Sequence, residues 1–103
     1  MVGHKHDSNK PRPELLPSAA ITIVSQVLAY GAVKYAPHNW RNNLAWSRLL
    51  GAALRHLFAW QGGERDDPES GLPHLAHAVC CVLFLLDLEI YGIGPDDRWR
   101  KPE

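Results

Sequence analysis

Apolar residues recur three and four positions apart over three stretches of the chain, which is the spacing typical of helices with one buried face. The pattern predicts helices over about residues 19–35, from residue 46 or 47 to residue 61, and from residue 70 or 71 to about residue 91. No alternation of apolar and polar residues persists long enough to predict a strand. The sequence therefore predicts an all-α protein with three helices.

The third predicted helix is apolar on almost every side. Its apolar residues fall into two groups, Leu75, Val79, Val82, Leu83 and Leu86 on one side and Cys81, Phe84, Leu85 and Leu88 on another. A helix that is apolar all round must be buried all round, and two partner helices do not suffice to cover it. We therefore expect a homo-oligomer, most simply a dimer that forms a larger helical bundle.

Polar segments flank the helical region, so the chain is expected to form a single domain. Residues 1–13 contain two prolines and are expected to form a flexible arm. Residues 14–94 then form the helical domain, and residues 95–103 form a polar C-terminal tail. Residues 36–43, with one proline and three asparagines, are expected to form the loop between the first two helices.

The overall charge argues against one class of partner. Eleven basic and eleven acidic residues cancel, so the formal net charge is zero, and 46% of the residues are hydrophobic. A neutral globular chain lacks the basic excess expected of a nucleic-acid-binding protein. A small phosphorylated ligand needs only a few local cations, so a ligand of that kind remains possible.

The cysteines and the apolar runs indicate where the chain resides. Cys80 and Cys81 are adjacent, and neighbouring side chains on a helix point about 100° apart, so a disulfide between them is not expected. The N-terminus has no apolar secretory signal. The longest apolar run, Ala78–Leu86, falls short of the roughly 20 residues that span a bilayer. We expect a cytoplasmic protein without a membrane segment.

Acidic and imidazole side chains converge before the third predicted helix. Four carboxylates lie in the preceding loop, and two histidines follow one helical turn apart: Glu64, Asp66, Asp67 and Glu69, then His74 and His77. We predict that His74, His77, Glu64 and Asp67 bind a divalent metal. Two alternatives remain open, namely histidines that are hydrogen-bonded to loop carboxylates, and a zinc site formed with Cys81.

Two further groups of residues are candidates for binding a phosphorylated ligand. Arg48 and Arg55 share one strip of the second helix, with His56 beside it, and arginine matches the geometry of phosphate oxygens. Ordinary surface arginines would give the same pattern. Lys34 lies at the end of the first helix, and Trp40 beside Asn39 would be able to stack on a base and hydrogen-bond to it. Capping of the first helix is the alternative role for Lys34.

Several enzyme classes are excluded by their motifs. The chain contains no P-loop, no GxGxxG, no GxSxG and no HExxH sequence. Kinases, dehydrogenases, α/β-hydrolases and zincins are therefore not expected.

The chain also resembles a known family. The matching segments, in order, are KPRPELLP, YGAVKYAPHNW, WSR, LRHLFAW and DPESGLPHLAHA, and the resemblance covers roughly residues 10 to 91. They resemble the N-terminal domain of phage dATP/dGTP diphosphohydrolases, relatives of the all-α MazG-like pyrophosphohydrolases. The resemblance implies a helical oligomer in the host cytoplasm that cleaves a purine deoxynucleoside triphosphate to a monophosphate and diphosphate.

The resemblance assigns the matching residues to two tasks. Nucleotide binding falls to Lys34, Asn39 and Trp40, and phosphate and metal binding falls to Arg55, His56, Glu64, Asp67, His74 and His77. MazG-type enzymes use an all-carboxylate magnesium site, whereas the third helix here begins with two histidines. Imidazole suits manganese, cobalt or zinc better than magnesium.

Three functional hypotheses follow. In the first, the protein is a metal-dependent pyrophosphohydrolase with manganese, cobalt or magnesium as cofactor. Arg55 and Lys34 would then neutralise the developing charge, and Glu64 would act as general base. Asp67 and His56 would complete the catalytic set, with Arg48 as an additional nucleotide-binding residue. In the second hypothesis the protein binds a small-molecule nucleotide without cleaving it. In the third it is an oligomeric scaffold.

Overall fold

The computed structural model describes residues 9–102 and consists of helices in that part of the chain. Three α-helices, α1 (Ser18–Tyr35), α2 (Trp46–Gln61) and α3 (His74–Tyr91), follow one another, with short 3-10 turns at Pro13–Leu15 and Asn39–Arg41. Between residues 9 and 102 there is no strand, and the one β-bridge is an isolated pair in the loop before α3. The prediction of an all-α chain with three helices is confirmed.

The predicted limits of α1 and α2 are confirmed, whereas the predicted start of α3 at residue 70 or 71 is wrong. α3 begins at His74, because residues 65–73 first form a compact loop. In this loop the Asp67 N–H donates to the Leu72 carbonyl at 2.9 Å, and the His74 N–H donates to the Arg65 carbonyl at 2.9 Å. Pro73 precedes the first helical residue, where its missing N–H has no consequence.

The central helix of the fold is α3, which packs against both α1 and α2. Near its N-terminus, Ala76 and Cys80 lie against Val24 and Val27 of α1. Near its C-terminus, Leu88 packs against Trp46 and Leu49 of α2 and is 1% exposed. Burying a leucine side chain to this extent contributes about 2 kcal/mol to folding. The two clusters fix both ends of α3 and therefore the position of the loop that precedes it.

The other side of α3 is not covered by residues 9–102. Six large apolar residues there are between 41% and 65% exposed: Leu75, Val79, Val82, Leu83, Leu86 and Ile90. By length and composition alone α3 is able to cross a membrane, with a mean hydropathy of 1.6 over 18 residues. One helix of this kind is weak evidence for a membrane segment, because the core helices of soluble proteins meet the same criterion.

The C-terminal segment returns to the start of α2. The Trp46 indole N–H donates to the Ile93 carbonyl at 2.9 Å, and the Trp46 backbone N–H donates to the Pro95 carbonyl at 3.2 Å. A side-chain oxygen of Asp97 accepts the Ser47 N–H at 2.9 Å and so caps the helix. The beginning of the predicted tail, residues 95–103, is thus tied to α2. Of the predicted arm, residues 1–8 lie outside the described part of the chain.

Candidate functional site

The loop between α2 and α3 holds one carboxylate in a fixed position. Asp67 is partly buried, and its Oδ1 accepts the backbone N–H of Glu69 at 2.7 Å. Burial opposes ionisation of this carboxyl. The N–H of Glu69 and the neighbouring His77 imidazole outweigh that effect, so the pKa of Asp67 lies below its ordinary value. Asp67 is therefore ionised at neutral pH and points into the site.

Three side chains from three segments meet at this point. His56 of α2, Asp67 of the loop and His77 of α3 each offer one possible ligand atom, and these atoms lie within 4.8 Å of one another. The His56 and His77 rings are stacked, with centroids 4.5 Å apart and planes 11° apart. Among the described residues, this is the group that brings three metal-ligating side chains together. We refer to His56, Asp67 and His77 as the His-Asp-His cluster.

Both imidazoles of the cluster are held in their neutral form. Burial lowers the pKa of His56, and the nearby His77 lowers it further. Burial is also the largest cause of the lowered pKa of His77. In each case the attraction of Asp67 opposes the shift without reversing it. Neutral imidazole has a free lone pair and is the form that binds a metal ion.

His74 and Glu64, two of the predicted metal ligands, lie beside the His-Asp-His cluster and not within it. His74 is 5% exposed, and both of its ring nitrogens are already engaged. Its Nε2 lies 2.6 Å from Oε1 of Glu64, and its Nδ1 lies 2.9 Å from Nδ1 of His56. The arrangement matches the alternative in which a histidine at the helix start is hydrogen-bonded to a loop carboxylate.

The second cluster histidine also has a hydrogen-bonding partner. Nε2 of His77 lies 2.7 Å from the hydroxyl oxygen of Ser70, and that oxygen accepts the Leu72 N–H at 3.1 Å. The loop thus orients the His77 ring. The sequence pattern places Ser70 at the start of the third helix, and nothing in its local sequence indicates this contact, because the two residues do not share a helix.

The composition of the cluster fits a divalent transition metal. Two imidazoles and one carboxylate suit manganese, cobalt, iron or zinc, whereas magnesium prefers oxygen ligands. Typical bonds of about 2.1 Å place the ligand atoms of one ion roughly 3 to 3.5 Å apart, so atoms that lie up to 4.8 Å apart would have to move closer together to hold one ion. Cys81, the ligand of the alternative zinc site, is not a member of the cluster, and burial raises the pKa of its thiol.

Arg55 provides a cation beside the cluster. It precedes His56 on α2, is exposed, and forms no ion pair with any residue between 9 and 102. Its guanidinium group lies back along the helix over Gly51, where a Cβ atom would come within 3.2 Å of Nη1. A side chain at position 51 would displace the guanidinium. Arg48 is exposed as well, but it lies seven residues earlier on α2. This places it about 10 Å from Arg55 along the helix axis, because each residue advances a helix by about 1.5 Å.

Lys34, in the last turn of α1, is paired. Its Nζ forms an ion pair with Glu69, and this contact is the main cause of the raised pKa of Lys34. Tyr30 contacts His77 edge to face, with ring centroids 6.4 Å apart. A phosphate that recruited Lys34 would have to compete with Glu69. Sequence reasoning did not assign Tyr30 to the site, although it lies one helical turn before Lys34.

Trp40 and Asn39 lie away from the cluster. The Trp40 ring stacks on Phe84 with centroids 4.4 Å apart and planes 9° apart, and the guanidinium of Arg41 lies over it at 4.6 Å. Phe84 comes seven residues after His77, which is about 10 Å along α3. Asn39 is exposed in the adjoining 3-10 turn. Trp40 is thus half-buried, where the sequence suggested an exposed ring.

Comparisons with known proteins identify the family. A family model described as dATP/dGTP diphosphohydrolase, N-terminal, matches residues 2–98. A protein of Salmonella phage PMBT28 named dATP/dGTP diphosphohydrolase is 36% identical over 98 residues. That match covers 95% of this chain and 33% of the relative, so the chain spans about a third of the relative's length. No solved structure gives a significant match. Because the family model covers nearly the whole chain, this protein belongs to the dATP/dGTP diphosphohydrolase N-terminal family.

Proposed function

We propose that this protein hydrolyses purine deoxynucleoside triphosphates to the monophosphate and diphosphate in a reaction that requires a divalent metal. The observation that carries the proposal is the His-Asp-His cluster with Arg55 next to it, an arginine that forms no ion pair within residues 9–102. The relative from Salmonella phage PMBT28, which is named for this activity, supports the choice of substrate. Family membership supports a nucleotide diphosphohydrolase in general, and the purine triphosphate is the finer part of the proposal.

The proposed metal ligands are His56, Asp67 and His77. A divalent ion bound there would lower the pKa of a bound water and neutralise phosphate oxygens. Manganese and cobalt suit the two imidazoles best. Glu64 and His74, which the sequence placed among the ligands, lie behind His56 and act on it through hydrogen bonds.

Arg55 is the proposed contact to the phosphate chain. Hydrolysis adds water at the α-phosphorus and breaks the bond to the bridging oxygen, so that diphosphate leaves with the charge of the broken bond. A guanidinium group stabilises such developing charge with two parallel hydrogen bonds. Arg55 is available for this role because no carboxylate in residues 9–102 pairs with it. Lys34 would be a second cation after release from Glu69, and Arg48 would lie further along the ligand.

The assay that tests the proposal uses the purified chain with manganese or cobalt and each purine deoxynucleoside triphosphate. Release of diphosphate and monophosphate in equal amounts is the expected result. Products that contain orthophosphate in place of diphosphate would assign attack to a different phosphorus. Absence of any product with both metals and both purines would reject hydrolysis by this chain.

A second candidate is a protein that binds the nucleotide without cleaving it. The observation in its favour is the single carboxylate of the His-Asp-His cluster, since Glu64 is engaged with His74 and Glu69 with Lys34. Tight binding of an intact nucleotide, without turnover, would select this candidate over the first.

Assembly and location complete the proposal. We propose that the uncovered apolar side of α3 forms the interface of a homodimer, giving a larger helical bundle of the MazG-like type. Covering the six exposed apolar residues would place α3 in the centre of that bundle, as its composition requires. A protein of this kind that acts on free nucleotides would reside in the cytoplasm, which is the host cytoplasm for a phage gene.

A further inference from the structure

Three side chains form a continuous hydrogen-bonded row that leads to the His-Asp-His cluster. Oε1 of Glu64 lies 2.6 Å from Nε2 of His74, and Nδ1 of His74 lies 2.9 Å from Nδ1 of His56. Glu64 is about half exposed, His74 is buried, and His56 is partly buried. The row therefore runs from the solvent, through a buried imidazole, to a member of the cluster.

The positions of the protons in this row follow from the chemistry of its groups. An ionised carboxylate only accepts hydrogen bonds, so Nε2 of His74 must carry the proton that Glu64 accepts. In the neutral form of His74 this is the single ring proton, so Nδ1 of His74 is an acceptor in that form. Two acceptors do not approach to 2.9 Å without a proton between them, so Nδ1 of His56 must be the donor.

The same counting determines which atom of His56 is available to a ligand. With its one proton on Nδ1, the neutral His56 ring has its lone pair on Nε2. A histidine binds a metal through the nitrogen without a proton, and the hydrogen bond of the other nitrogen selects that tautomer. Carboxylate partners of metal-bound histidines act in this way, but here a second histidine stands between the carboxylate and the ligand.

We propose that Glu64 and His74 are positioning residues that hold His56 in its Nδ1-protonated tautomer, so that Nε2 is the atom that His56 offers to a divalent cation. The part that concerns the cation depends on the proposed function. The part that concerns the tautomer does not, because the hydrogen bonds exist without any ion.

The tautomers are measurable in the metal-free protein. Nitrogen-15 NMR of histidine-labelled protein at about pH 8, where an ordinary imidazole is neutral, separates protonated from unprotonated ring nitrogens. We expect His56 to carry its proton on Nδ1 and His74 to carry its proton on Nε2. A proton on Nε2 of His56, or protons on both nitrogens of His74, would overturn the proposal.

Three substitutions of Glu64 test the row, and its exposed side chain makes them tolerable for folding. Glu64→Gln retains an acceptor oxygen and should keep the wild-type tautomers. Glu64→Ala removes the acceptor and should leave a mixture. Glu64→Lys supplies only donors, so the proton of His74 should move to Nδ1 and that of His56 to Nε2.

Binding of manganese alone, measured by calorimetry, connects the tautomer to the cation site. Loss of an outer partner of a metal ligand typically weakens binding about 10- to 100-fold, and we expect a loss of that size for Glu64→Lys. Glu64→Gln should remain within about threefold of wild type. Asp66→Lys is the matched control, because it introduces the same charge in the same loop, at a residue outside the row that pairs with Arg65.

The outcomes separate this inference from the proposed function. Equal losses in Glu64→Lys and Asp66→Lys would overturn the role of the row, because charge alone would then explain them. Wild-type protein with the expected tautomers but no affinity for manganese, cobalt or zinc would reject the cation site of the proposed function and the second part of this proposal. The assignment of the tautomers would stand in that case.

Discussion

His56 and His77 lie face to face across the α2–α3 interface, with ring centroids 4.5 Å apart and planes 11° apart. They belong to different helices and are brought together by the packing of α2 on α3. Asp67 approaches the pair from the loop, with Oδ2 at 3.8 Å from Nδ1 of His56. The relationship gives a candidate metal site whose members are distributed over 22 residues of sequence, from 56 to 77.

Removal of the cluster carboxylate should abolish tight metal binding. Asp67→Asn retains the shape of the side chain but removes its charge, and we expect manganese affinity to fall at least about tenfold, as measured by calorimetry. Asp66→Asn is the matched control, because Asp66 is the adjacent carboxylate and pairs with Arg65 outside the cluster. Equal affinity in the two variants would show that the ion binds elsewhere.

Removal of the guanidinium group of Arg55 should weaken nucleotide binding. A hydrogen bond to a charged group contributes about 1.5 to 3 kcal/mol, so Arg55→Ala should raise the dissociation constant for a purine deoxynucleoside triphosphate about 10- to 100-fold. Arg65→Ala serves as the control, since Arg65 is paired with Asp66. Binding of the nucleoside without phosphates should be unchanged in both variants. A loss of nucleoside binding in Arg55→Ala would instead indicate a damaged fold.

The metal-free protein should lose stability as the pH falls below the ordinary histidine pKa of 6.5. The folded state lowers the pKa of His56 and His77 mainly by burial, so the unfolded chain binds more protons in this range and protonation favours unfolding. Asp67 does not contribute there, because the ordinary pKa of an aspartate already lies below this range and the folded state lowers it further.

Urea unfolding in the presence of a chelator measures this effect. The free energy of unfolding should decrease between about pH 7 and pH 5, and His56→Gln should show a smaller decrease because one of the two shifted groups is gone. A free energy that stays constant or rises over the same interval in the wild type would contradict the assignment of neutral buried imidazoles.

A charge on the uncovered side of α3 should disrupt the proposed dimer. Light scattering should give the wild type twice the 11.5 kDa mass of one chain, and Leu86→Lys should give a single chain, because an unpaired ammonium group is costly to bury. Val33→Lys is the control on α1, where residue 33 is 91% exposed and lies outside the α3 surface. A wild-type protein with the mass of one chain would reject the dimer.

The sequence was sufficient to predict the three helices and to identify residues that lie near the His-Asp-His cluster. Gly62 and Gly63 mark the end of α2, and the three- and four-residue spacing gave α1 and α2 their limits, because these signals are local. The start of α3 was misplaced since the turn through Ser70 and Pro73 depends on hydrogen bonds within the loop. Local propensity contains no information about those bonds.

The partners of the site residues could not be read from spacing. His74 and His77 are one turn apart and therefore suggested a shared ion, yet His74 contacts His56, 18 residues earlier in the chain. Lys34 suggested a free cation, but it pairs with Glu69 of the distant loop. Both contacts depend on how the helices pack, and the pattern along one helix does not specify which side chains meet across two.

The origin of the His-Asp-His cluster in three separate segments has a consequence for the lifetime of the protein. An ion that binds only the folded chain, at a free concentration one hundred times its dissociation constant, adds about 2.7 kcal/mol to stability. Domains of this size are stable by only about 5 to 15 kcal/mol in total. On the proposed metal binding, starvation for manganese or cobalt would thus increase the unfolded population and expose more of the protein to proteolysis.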